Sequence, residues 1–401
     1  KESFTLFPKL RFKEFDGDLT ESKLVELTSW ASGGTPAKDV PEYWGDGIPL
    51  ISGASMHTNQ LYESDVKITK LGLQKGSKLA LKDSILILVR GSMLFNKIPM
   101  GITLGDVAFN QDVKCIRPKQ QLAPLFLFQW LHAKENTIQN KVTATGIGAG
   151  KLDTADLQNL KLYKPSLEEQ TKIATFLSAV DEKISQLTQK HQLLREYKQG
   201  MMQKLFSQQV RFKADDKSEF GEWEEKELKD IAEINPKSKK LPESFIYIDL
   251  ESVEKGQLLL QKNIELQDAP SRAQRLLAKG DVLFQMVRPY QQNNYYFNLS
   301  GEYVASTGYA QIRTKLDSKF IYYALHEKTF LDEVMNRCTG TSYPAINSSD
   351  LSSIEILIPC LEEQTKIANF LSAIDQKIEV VAQQIEQAKT WKKGLLQQMF
   401  I

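Results

Sequence analysis

Two identical pairs of carboxylates are the first residues of this sequence whose types and spacing could support catalysis. Glu168 and Glu169 lie in the segment LEEQTKIATFLSAVDEKI, and Glu362 and Glu363 lie in the similar segment LEEQTKIANFLSAIDQKI. Paired carboxylates can act as general acid and base, but that role needs a nucleophile or a metal cluster beside them. The sequence supplies neither, so we interpret these residues as acids at helix starts or as contacts for a partner.

The glycine-rich stretch TGIGAGKLDT does not complete a phosphate-binding loop. That motif needs G-x-x-x-x-G-K-[ST], whereas Thr145 stands at the first glycine position and Leu152 at the Ser/Thr position. Three cysteines far apart and four scattered histidines also argue against a metal site. We therefore predict a chain without an active site, a bound nucleotide or a metal.

The remaining candidates are polar residues in loops beside strand-like segments. Arg, Lys, Asn, Gln, Ser and Thr contact base edges, and Tyr often contacts phosphates. Such loops include SGGTPAKDVPEYWGDG, VRGSMLFNK after SILILV, and VRPYQQNNYY after DVLFQMV. The predicted DNA contacts are Thr35, Lys38, Tyr43, Arg90, Ser92, Lys97, Asn110 and Gln111, then Lys237, Lys239, Arg288, Tyr290, Gln291, Asn293 and Thr307. An ordinary surface loop is the alternative for any single residue.

The elements that would position these loops form an internal repeat. The two LEEQ segments agree at 15 of 18 positions and lie 194 residues apart. Landmarks at the same offset precede them, with Thr145-Gly146 matching Thr339-Gly340 and Pro165 matching Pro359. The chain is therefore one unit written twice, with a variable front part and a nearly invariant tail.

Each tail is predicted to be a long helix with an apolar seam. Apolar residues recur at steps of four and three, which is typical of a coiled coil. The predicted seam residues are Ile173, Leu177, Val180, Ile184, Leu187 and Leu194 in the first copy, and Ile367, Leu371, Ile374, Ile378, Val381 and Ile385 in the second. We expect the two helices to pair antiparallel, and the alternative is that each packs on the core of its own domain.

The front parts have mixed α/β character. The strand-like segments are SILILV and DVKCIR in the first front part, and FIYIDL, DVLFQMV, YYFN and YAQIR in the second. Each front part also contains one predicted helical stretch, APLFLFQWLHAKENTIQN in the first and SKFIYYALHEKTFLDEVMN in the second. The predicted fold is mixed α/β, with two globular domains separated by two long antiparallel helices and related by a pseudo-two-fold repeat. The predicted boundaries are 1–165 and 208–359 for the globular domains, and 166–207 and 360–401 for the helices.

The duplicated segment has the pattern P-x-L-E-E-Q-x-x-I-A-x-F-L-S-x-x-D-x-K-I, and each copy is preceded by the Thr-Gly landmark and by an Asp-Leu landmark, Asp156-Leu157 or Asp350-Leu351. This combination resembles the DNA-specificity subunit of type I restriction–modification systems. The resemblance covers essentially the whole chain. It implies two target-recognition domains that each bind one half of a split site in double-stranded DNA. It also implies helices that set the spacing and hold methyltransferase subunits, two in number, with restriction/translocase subunits joining the complex.

The resemblance assigns catalysis and cofactors to partner subunits. S-adenosylmethionine, ATP and magnesium are expected there, and this chain lacks the D/N-P-P-Y/F tetrapeptide of a DNA adenine methyltransferase. One rival is the recognition subunit of a related system whose partner fuses methylation and cleavage. Other rivals are a coiled-coil protein-interaction scaffold without sequence-specific DNA binding and a self-sufficient enzyme, and the missing motifs argue against the last.

The overall charge gives little support to DNA binding by this chain alone. Basic and acidic residues number 51 and 50, and residues 208–360 carry a net charge of −4 against +4 for residues 1–166. We expect partner subunits to supply much of the electrostatic attraction to phosphates. No run of 18 apolar residues is present, so we expect no membrane span, and the sparse cysteines fit a cytoplasmic protein.

Overall fold

The chain folds into two compact units, each built on one copy of the repeated front part. The structure, a computed structural model, describes residues 7–119 and 121–401. The first unit comprises the described residues up to Gln189 together with Gln383–Ile401, and the second comprises Lys190–Ala382. Each unit therefore contains a segment of both tails.

In the first unit, residues 7–119 and 121–166 form four sheets and five short α-helices. Its strands are β1 Thr20–Lys23, β2 Thr28–Ser32, β3 Trp44–Ile51, β4 Gln60–Leu61, β5 Lys67–Ile68, β6 Lys78–Ala80, β7 Ile85–Leu88, β8 Arg90–Gly91, β9 Met100–Thr103, β10 Val107–Phe109, β11 Val113–Pro118, β12 Thr143–Ala144, β13 Gly150–Lys151 and β14 Lys161–Lys164. Its helices are α1 Leu24–Leu27, α2 Lys70–Gly76, α3 Pro124–Ala133, α4 Glu135–Gln139 and α5 Thr154–Gln158. The sheet orders are β2-β11-β7-β9-β4, β5-β3-β10-β6, β12-β13-β8 and β1-β14.

The second unit repeats this arrangement with fewer strands. They are β15 Glu224–Glu227, β16 Ala232–Ile234, β17 Ser244–Ile248, β18 Val253–Glu254, β19 Gln257–Leu258, β20 Lys262–Glu265, β21 Ala273–Leu276, β22 Val282–Gln285, β23 Tyr295–Tyr296, β24 Tyr303–Ser306, β25 Tyr309–Thr314 and β26 Glu355–Ile358. Its helices are α7 Leu228–Ile231, α8 Ser318–Ala324, α9 Lys328–Asn336 and α10 Ser348–Ser352. The sheet orders are β16-β25-β22-β23, β20-β17-β24-β21, β15-β26 and β18-β19.

The two units share one topology. The order β2-β11-β7-β9 corresponds to β16-β25-β22-β23, and β5-β3-β10-β6 corresponds to β20-β17-β24-β21. Even the parallel pairing recurs, between β3 and β10 and between β17 and β24. The predicted mixed α/β fold with an internal repeat is therefore confirmed.

The central strands are buried because their apolar runs lack polar alternation. All four residues of β7, ILIL, and of β22, VLFQ, are buried, as expected for strands covered on both faces. In the first unit the core includes Phe126, Trp130 and Leu131 from α3. In the second it includes Phe320 and Ile321 from α8.

Two predicted helical stretches are each broken in the structure. The stretch after Ala123 divides into α3 and α4 at Lys134, which has ψ near 4°. The stretch from Ser318 divides into α8 and α9, because the carboxylate of Glu327 accepts hydrogen bonds from the backbone amides of Thr329 and Phe330 and starts a new helix.

The two tails form the long helices α6, Leu167–Phe206, and α11, Leu361–Met399. In the first unit, Ile173 and Leu177 near the start of α6 belong to the same core as Leu395 and Met399 near the end of α11. In the second unit the relationship is reversed, with the start of α11 and the end of α6 in one core. The expected antiparallel pairing is confirmed within each unit.

The predicted seam residues contribute to domain cores as well as to helix pairing. The residues buried in the unit cores are Ile173, Leu177, Val180, Ile367, Leu371 and Ile374. Further along the helices, the buried residues are Leu187, Val381 and Ile385, and the half-buried residues are Ile184, Leu194 and Ile378. Both alternatives posed by the sequence, packing on the domain core and packing on the other helix, are thus realised together.

An ion pair of the same kind joins α6 and α11 in each unit. In the first unit, Lys392 contacts Asp181. In the second unit, the Nζ of Lys198 lies 2.6 Å from Oδ1 of Asp375. The residues correspond through the 194-residue offset, so the repeat extends from sequence to individual contacts.

Candidate nucleic-acid interface

The predicted contact loops of the first unit meet at one edge of its five-stranded sheet. β11 pairs antiparallel with both β2 and β7, so the ends of those two strands lie beside the start of β11. The loop after β2 carries Thr35, and the turn before β11 carries Gln111. The Thr35 hydroxyl donates a hydrogen bond to Oε1 of Gln111 at 2.6 Å.

The loop after β7 joins the same edge. The backbone amide of Val89 donates to the carbonyl of Asp112 at 2.8 Å, which places Arg90 one residue away from the turn that carries Gln111. The Arg90 side chain is exposed. Three loops that are distant in sequence therefore converge through strand pairing alone.

A cleft of about 570 Å³ is lined by residues of the loop after β2 and of the turn before β11, together with residues of β3, and the loop that carries Arg90 does not line it. Four of the residues that line the cleft were predicted as DNA contacts, namely Thr35, Lys38, Asn110 and Gln111. The other four were not predicted from the sequence, and they are Trp44, Leu50, Ser52 and Val66. The Nε1 of Trp44 donates to the carbonyl of Ala37 at 2.9 Å, which fixes the indole beside the polar groups. The cleft thus combines apolar walls with amide, hydroxyl and ammonium groups.

Besides Arg90, three predicted residues of the first unit stand apart from this cleft. Tyr43 ends a short turn and is half-buried, and its carbonyl accepts a hydrogen bond from the amide of Thr69 at 3.0 Å. Ser92 and Lys97 are exposed at the start of, and just after, the turn Ser92–Phe95. No hydrogen bond or ion pair in the described part of the chain connects them to the cleft residues.

The second unit brings its predicted loops to the corresponding edge. β25 lies between β16 and β22 and is antiparallel to both. Lys237 and Lys239 follow β16 and are exposed, and Thr307 precedes β25. The amide of Thr307 donates to the carbonyl of Arg272 at 2.9 Å. The exposed Arg272 was missed by sequence reasoning because it lies in the turn before β21, a strand of the other four-stranded sheet.

The loop after β22 is organised by a buried glutamine. Gln285 donates from Nε2 to Oε1 of Gln291 at 2.8 Å and accepts from the amide of Asn293 at 3.0 Å. Oδ1 of Asn293 in turn accepts from the amide of Lys255 at 3.0 Å. The predicted contacts Gln291 and Asn293 therefore also shape the loop, while Tyr290 is exposed beside them.

A hairpin that the sequence did not suggest lies against the arginine loop in each unit. In the first, β13 pairs with β8, so that Lys151 faces Arg90. In the second, Ala345 bridges to both Val287 and Thr339. The only sequence signal was the repeated Thr-Gly landmark, which we used for alignment and not for the site.

The two members of each repeated carboxylate pair lie in different environments. Glu168 and Glu362 are exposed, whereas Glu169 and Glu363 are buried. Arg211 donates hydrogen bonds to Glu363, which raise the pKa of the Arg211 guanidinium, and Arg11 donates to Glu169 in the same way. The buried member of each pair therefore makes a structural contact at the start of a long helix.

Neither a metal-ligand cluster nor a membrane-spanning helix is found among the described residues. Among them, no group of three or more His, Cys, Asp or Glu side chains is arranged to hold a metal ion. In the same ranges, 7–119 and 121–401, no helix has the length and hydropathy needed to cross a membrane.

Known proteins resemble this chain over most of its length. The model of the type I restriction modification DNA specificity domain matches twice, at residues 17–195 and 221–390. The MjaVIII specificity subunit of a type I restriction enzyme from Methanocaldococcus jannaschii is 27% identical, covering 96% of this chain and 94% of the relative. The EcoR124I/EcoR124II specificity subunit from Escherichia coli is 29% identical over 45% of each chain.

Solved structures share the fold. The S subunit of a type I restriction–modification system from M. genitalium superposes with a TM-score of 0.61 at 16% identity, covering 99% of both chains. The two matches of the family model span most of the chain, so the protein belongs to the type I restriction–modification DNA-specificity family and is a DNA-recognition subunit, not a catalytic one.

Proposed function

We propose that the chain binds a bipartite, asymmetric DNA site, with one recognition domain for each half-site. The observation that carries this proposal is that both units have the same sheet order, while the loops at the corresponding sheet edges differ in sequence. A common scaffold places side chains in equivalent positions, and the side chains select the bases. The two half-sites are therefore expected to differ in sequence.

We assign the recognition domains to residues 1–165 and 208–359, and the spacer helices to 166–207 and 360–401. The bounds of α6 and α11 support this division. The seam residues between the helices are proposed to fix the spacer between the half-sites, because two paired helices of about 40 residues form a stiff element of roughly 60 Å.

The proposed base and phosphate contacts are the sheet-edge residues. In the first domain, the cleft residues and Arg90 have the most support because strand pairing brings their loops together. In the second, Lys237, Lys239, Arg288 and Thr307 occupy the corresponding edge. The remaining proposed contacts to bases or phosphates are Tyr43, Ser92, Lys97, Tyr290, Gln291 and Asn293.

We propose that two methyltransferase subunits dock on the long helices. A surface that binds the same partner twice must present the same residues twice, and the helices are the most similar part of the repeat. Tyr197 and Trp391 correspond through the offset, and both are about half exposed. Aromatic side chains of this kind often anchor interfaces.

The remaining components are proposed to lie on partner subunits. S-adenosylmethionine belongs to the methyltransferase, and ATP with magnesium belongs to the restriction/translocase subunits that join through the complex. The second domain has a net negative charge, which supports the proposal that partner subunits supply part of the electrostatic attraction to the DNA phosphates. Non-specific affinity for DNA grows with the number of phosphates that basic residues neutralise. We place the complex in the cytoplasm, where DNA and these cofactors are available.

Retention of DNA from a randomised duplex library tests the proposal. We expect a single split sequence to be enriched by the chain together with its methyltransferase subunits, at a salt concentration that suppresses non-specific binding. The chain alone should neither transfer methyl groups nor hydrolyse ATP. Enrichment of no sequence by the complex, or either activity in the purified chain, would contradict the proposal.

A further inference from the structure

We propose that Tyr343 is a specificity-determining residue, which positions the guanidinium of Arg288 to bind a guanine in the half-site of the second domain. The inference rests on the proposed function and names the base that this part of the domain selects. Arg288 was expected from sequence to contact DNA, whereas Tyr343 was not.

Backbone contacts hold Arg288 against the hairpin that carries Tyr343. The amide of Arg288 donates to the carbonyl of Pro344 at 2.7 Å. On the hairpin itself, Thr339 and Ala345 exchange two hydrogen bonds of 2.9 and 3.0 Å. Arg288 has a φ of +54°, a conformation that L-residues adopt at a cost and that surrounding contacts must maintain.

The side chains of the two residues are stacked. The Cζ of Arg288 lies 4.2 Å from the centroid of the Tyr343 ring, well within the range of a cation–π contact. The tyrosine is 64% exposed and Arg288 is half-buried, so the stacked pair lies at the surface and not in the core. Arg288 forms no salt bridge with any carboxylate of the described residues, which leaves its positive charge available.

Stacking favours a base over a phosphate as the partner of this arginine. The ring covers one face of the planar guanidinium and leaves the N–H groups on its edge directed outward. Guanine presents two acceptors, N7 and O6, in one plane of the major groove, and arginine binds both. Fixing the guanidinium plane in advance reduces the ordering cost of that in-plane contact, whereas a phosphate does not require a fixed plane.

The first domain lacks this arrangement at the corresponding position. The 194-residue offset places Ala149 opposite Tyr343, and a methyl group cannot stack in this way. Arg90 instead faces Lys151 across the paired strands. The stacked pair is therefore present in only one of the two described recognition domains, as expected if the two domains select different bases.

Selection from a randomised duplex library, using the chain with its methyltransferase subunits, tests the inference. Arg288→Ala should reduce the preference for guanine at one position of the second half-site by about 10- to 100-fold. Tyr343→Ala should reduce the preference at that same position, and Tyr343→Phe, which keeps the stacking ring, should retain it. The double variant should lose no more than Arg288→Ala alone, because both changes disable one contact.

Ile147→Ala is the matched control. Ile147 is 92% exposed on the corresponding hairpin of the first domain, so its removal should leave the second half-site profile unchanged. Unchanged unfolding midpoints would exclude misfolding of the variants. An intact guanine preference in Tyr343→Ala, or a uniform loss of affinity across sequences, would overturn the inference while the proposed function stands. A wild-type complex that selects no sequence would overturn both.

Discussion

The guanidinium of Arg211 donates two hydrogen bonds to the buried carboxylate of Glu363, from Nε to Oε1 at 3.0 Å and from Nη2 to Oε2 at 2.7 Å. Arg11 and Glu169 make the same two-pronged contact in the first unit, with both distances at 2.8 Å. Each arginine thereby connects the N-terminal segment of a recognition domain to the start of the long helix that follows the domain.

The first prediction concerns this contact. Arg211→Ala should destabilise the protein by about 3–5 kcal/mol, because it leaves a buried carboxylate without its cation. Urea unfolding measures the change. Lys213→Ala is the control, because Lys213 pairs with Glu219 on the surface, where both side chains are more than half exposed, and such a pair contributes at most about 1 kcal/mol. Equal effects of the two substitutions would contradict the prediction.

The second prediction concerns acid sensitivity. Burial lowers the pKa of His326 to about 4, and its ring nitrogens contact the carbonyl of Tyr322 at 2.7 Å and the Nδ2 of Asn294 at 3.2 Å. Protonation would place an N–H against the amide donor of Asn294. Because the folded pKa lies below the usual value of 6.5, stability is complete above pH 6.5 and falls as the pH drops toward 4.

We expect this histidine to contribute a loss of about 3 kcal/mol by pH 4. His326→Gln should flatten the fall of the unfolding midpoint between pH 6.5 and 4, compared with the unchanged protein. His57 is exposed, so His57→Gln should leave the fall as it is. A His326→Gln profile parallel to the original would show that this imidazole does not control acid sensitivity.

The third prediction concerns the helix seam. Ile378 is half-buried against the core of the second unit, and Val380, two residues further along the same helix, is 51% exposed. Ile378→Asp should cost about 2 kcal/mol or more, because it buries an unpaired charge, whereas Val380→Asp should change the unfolding midpoint little. Ile184→Asp should act on the first unit in the same way as Ile378→Asp. Midpoints that fall equally for positions 378 and 380 would mean that the seam is placed incorrectly.

The sequence predicted those features that depend on local pattern or on the repeat. The helices α6 and α11 and the strands β7 and β22 follow from apolar spacing, and the repeat offset identified which residues correspond. The antiparallel pairing of the helices was expected from two matched seams joined by a whole domain. Contacts between distant residues could not be predicted in this way. Arg11 and Glu169 are 158 residues apart, and nothing in the spacing of either residue indicates the other.

In the candidate nucleic-acid interface, too, the sequence predicted local features but not contacts between distant residues. Loops beside predicted strands could be proposed from composition, but their convergence at one sheet edge depends on the strand order, which the sequence pattern does not reveal. Tyr343 was missed for the same reason, because strand pairing brings its hairpin beside a proposed contact loop. Trp44 lies within a proposed loop stretch but was missed because the candidates there were chosen for polar contacts to DNA. Aromatic residues in loops give no local signal of such a position.

The fourth prediction concerns the spacer. Inserting four residues after Gln189 adds about one turn, roughly 6 Å, to α6 alone. We expect the tolerated spacer between the half-sites to change, or binding to be lost if α11 cannot follow, without a change in either half-site. The same insertion at the exposed turn around Lys217 is the control and should leave the spacer as it was. Selection from a randomised duplex library measures the spacer length and the half-site sequences. An unaltered spacer after the Gln189 insertion would show that the helices do not set the spacing between the half-sites.

The fifth prediction, the independence of the two recognition domains, is the central claim, and a domain exchange tests it most directly. Residues 208–359 are replaced by the corresponding domain of a relative with a different specificity, and the chimera is produced in cells with its methyltransferase subunits. Mapping methylated positions across the genome then gives the recognised sequence. We predict that one half-site changes to that of the relative while the other half-site and the spacer stay the same. A chimera that shifts both half-sites together would contradict modular recognition.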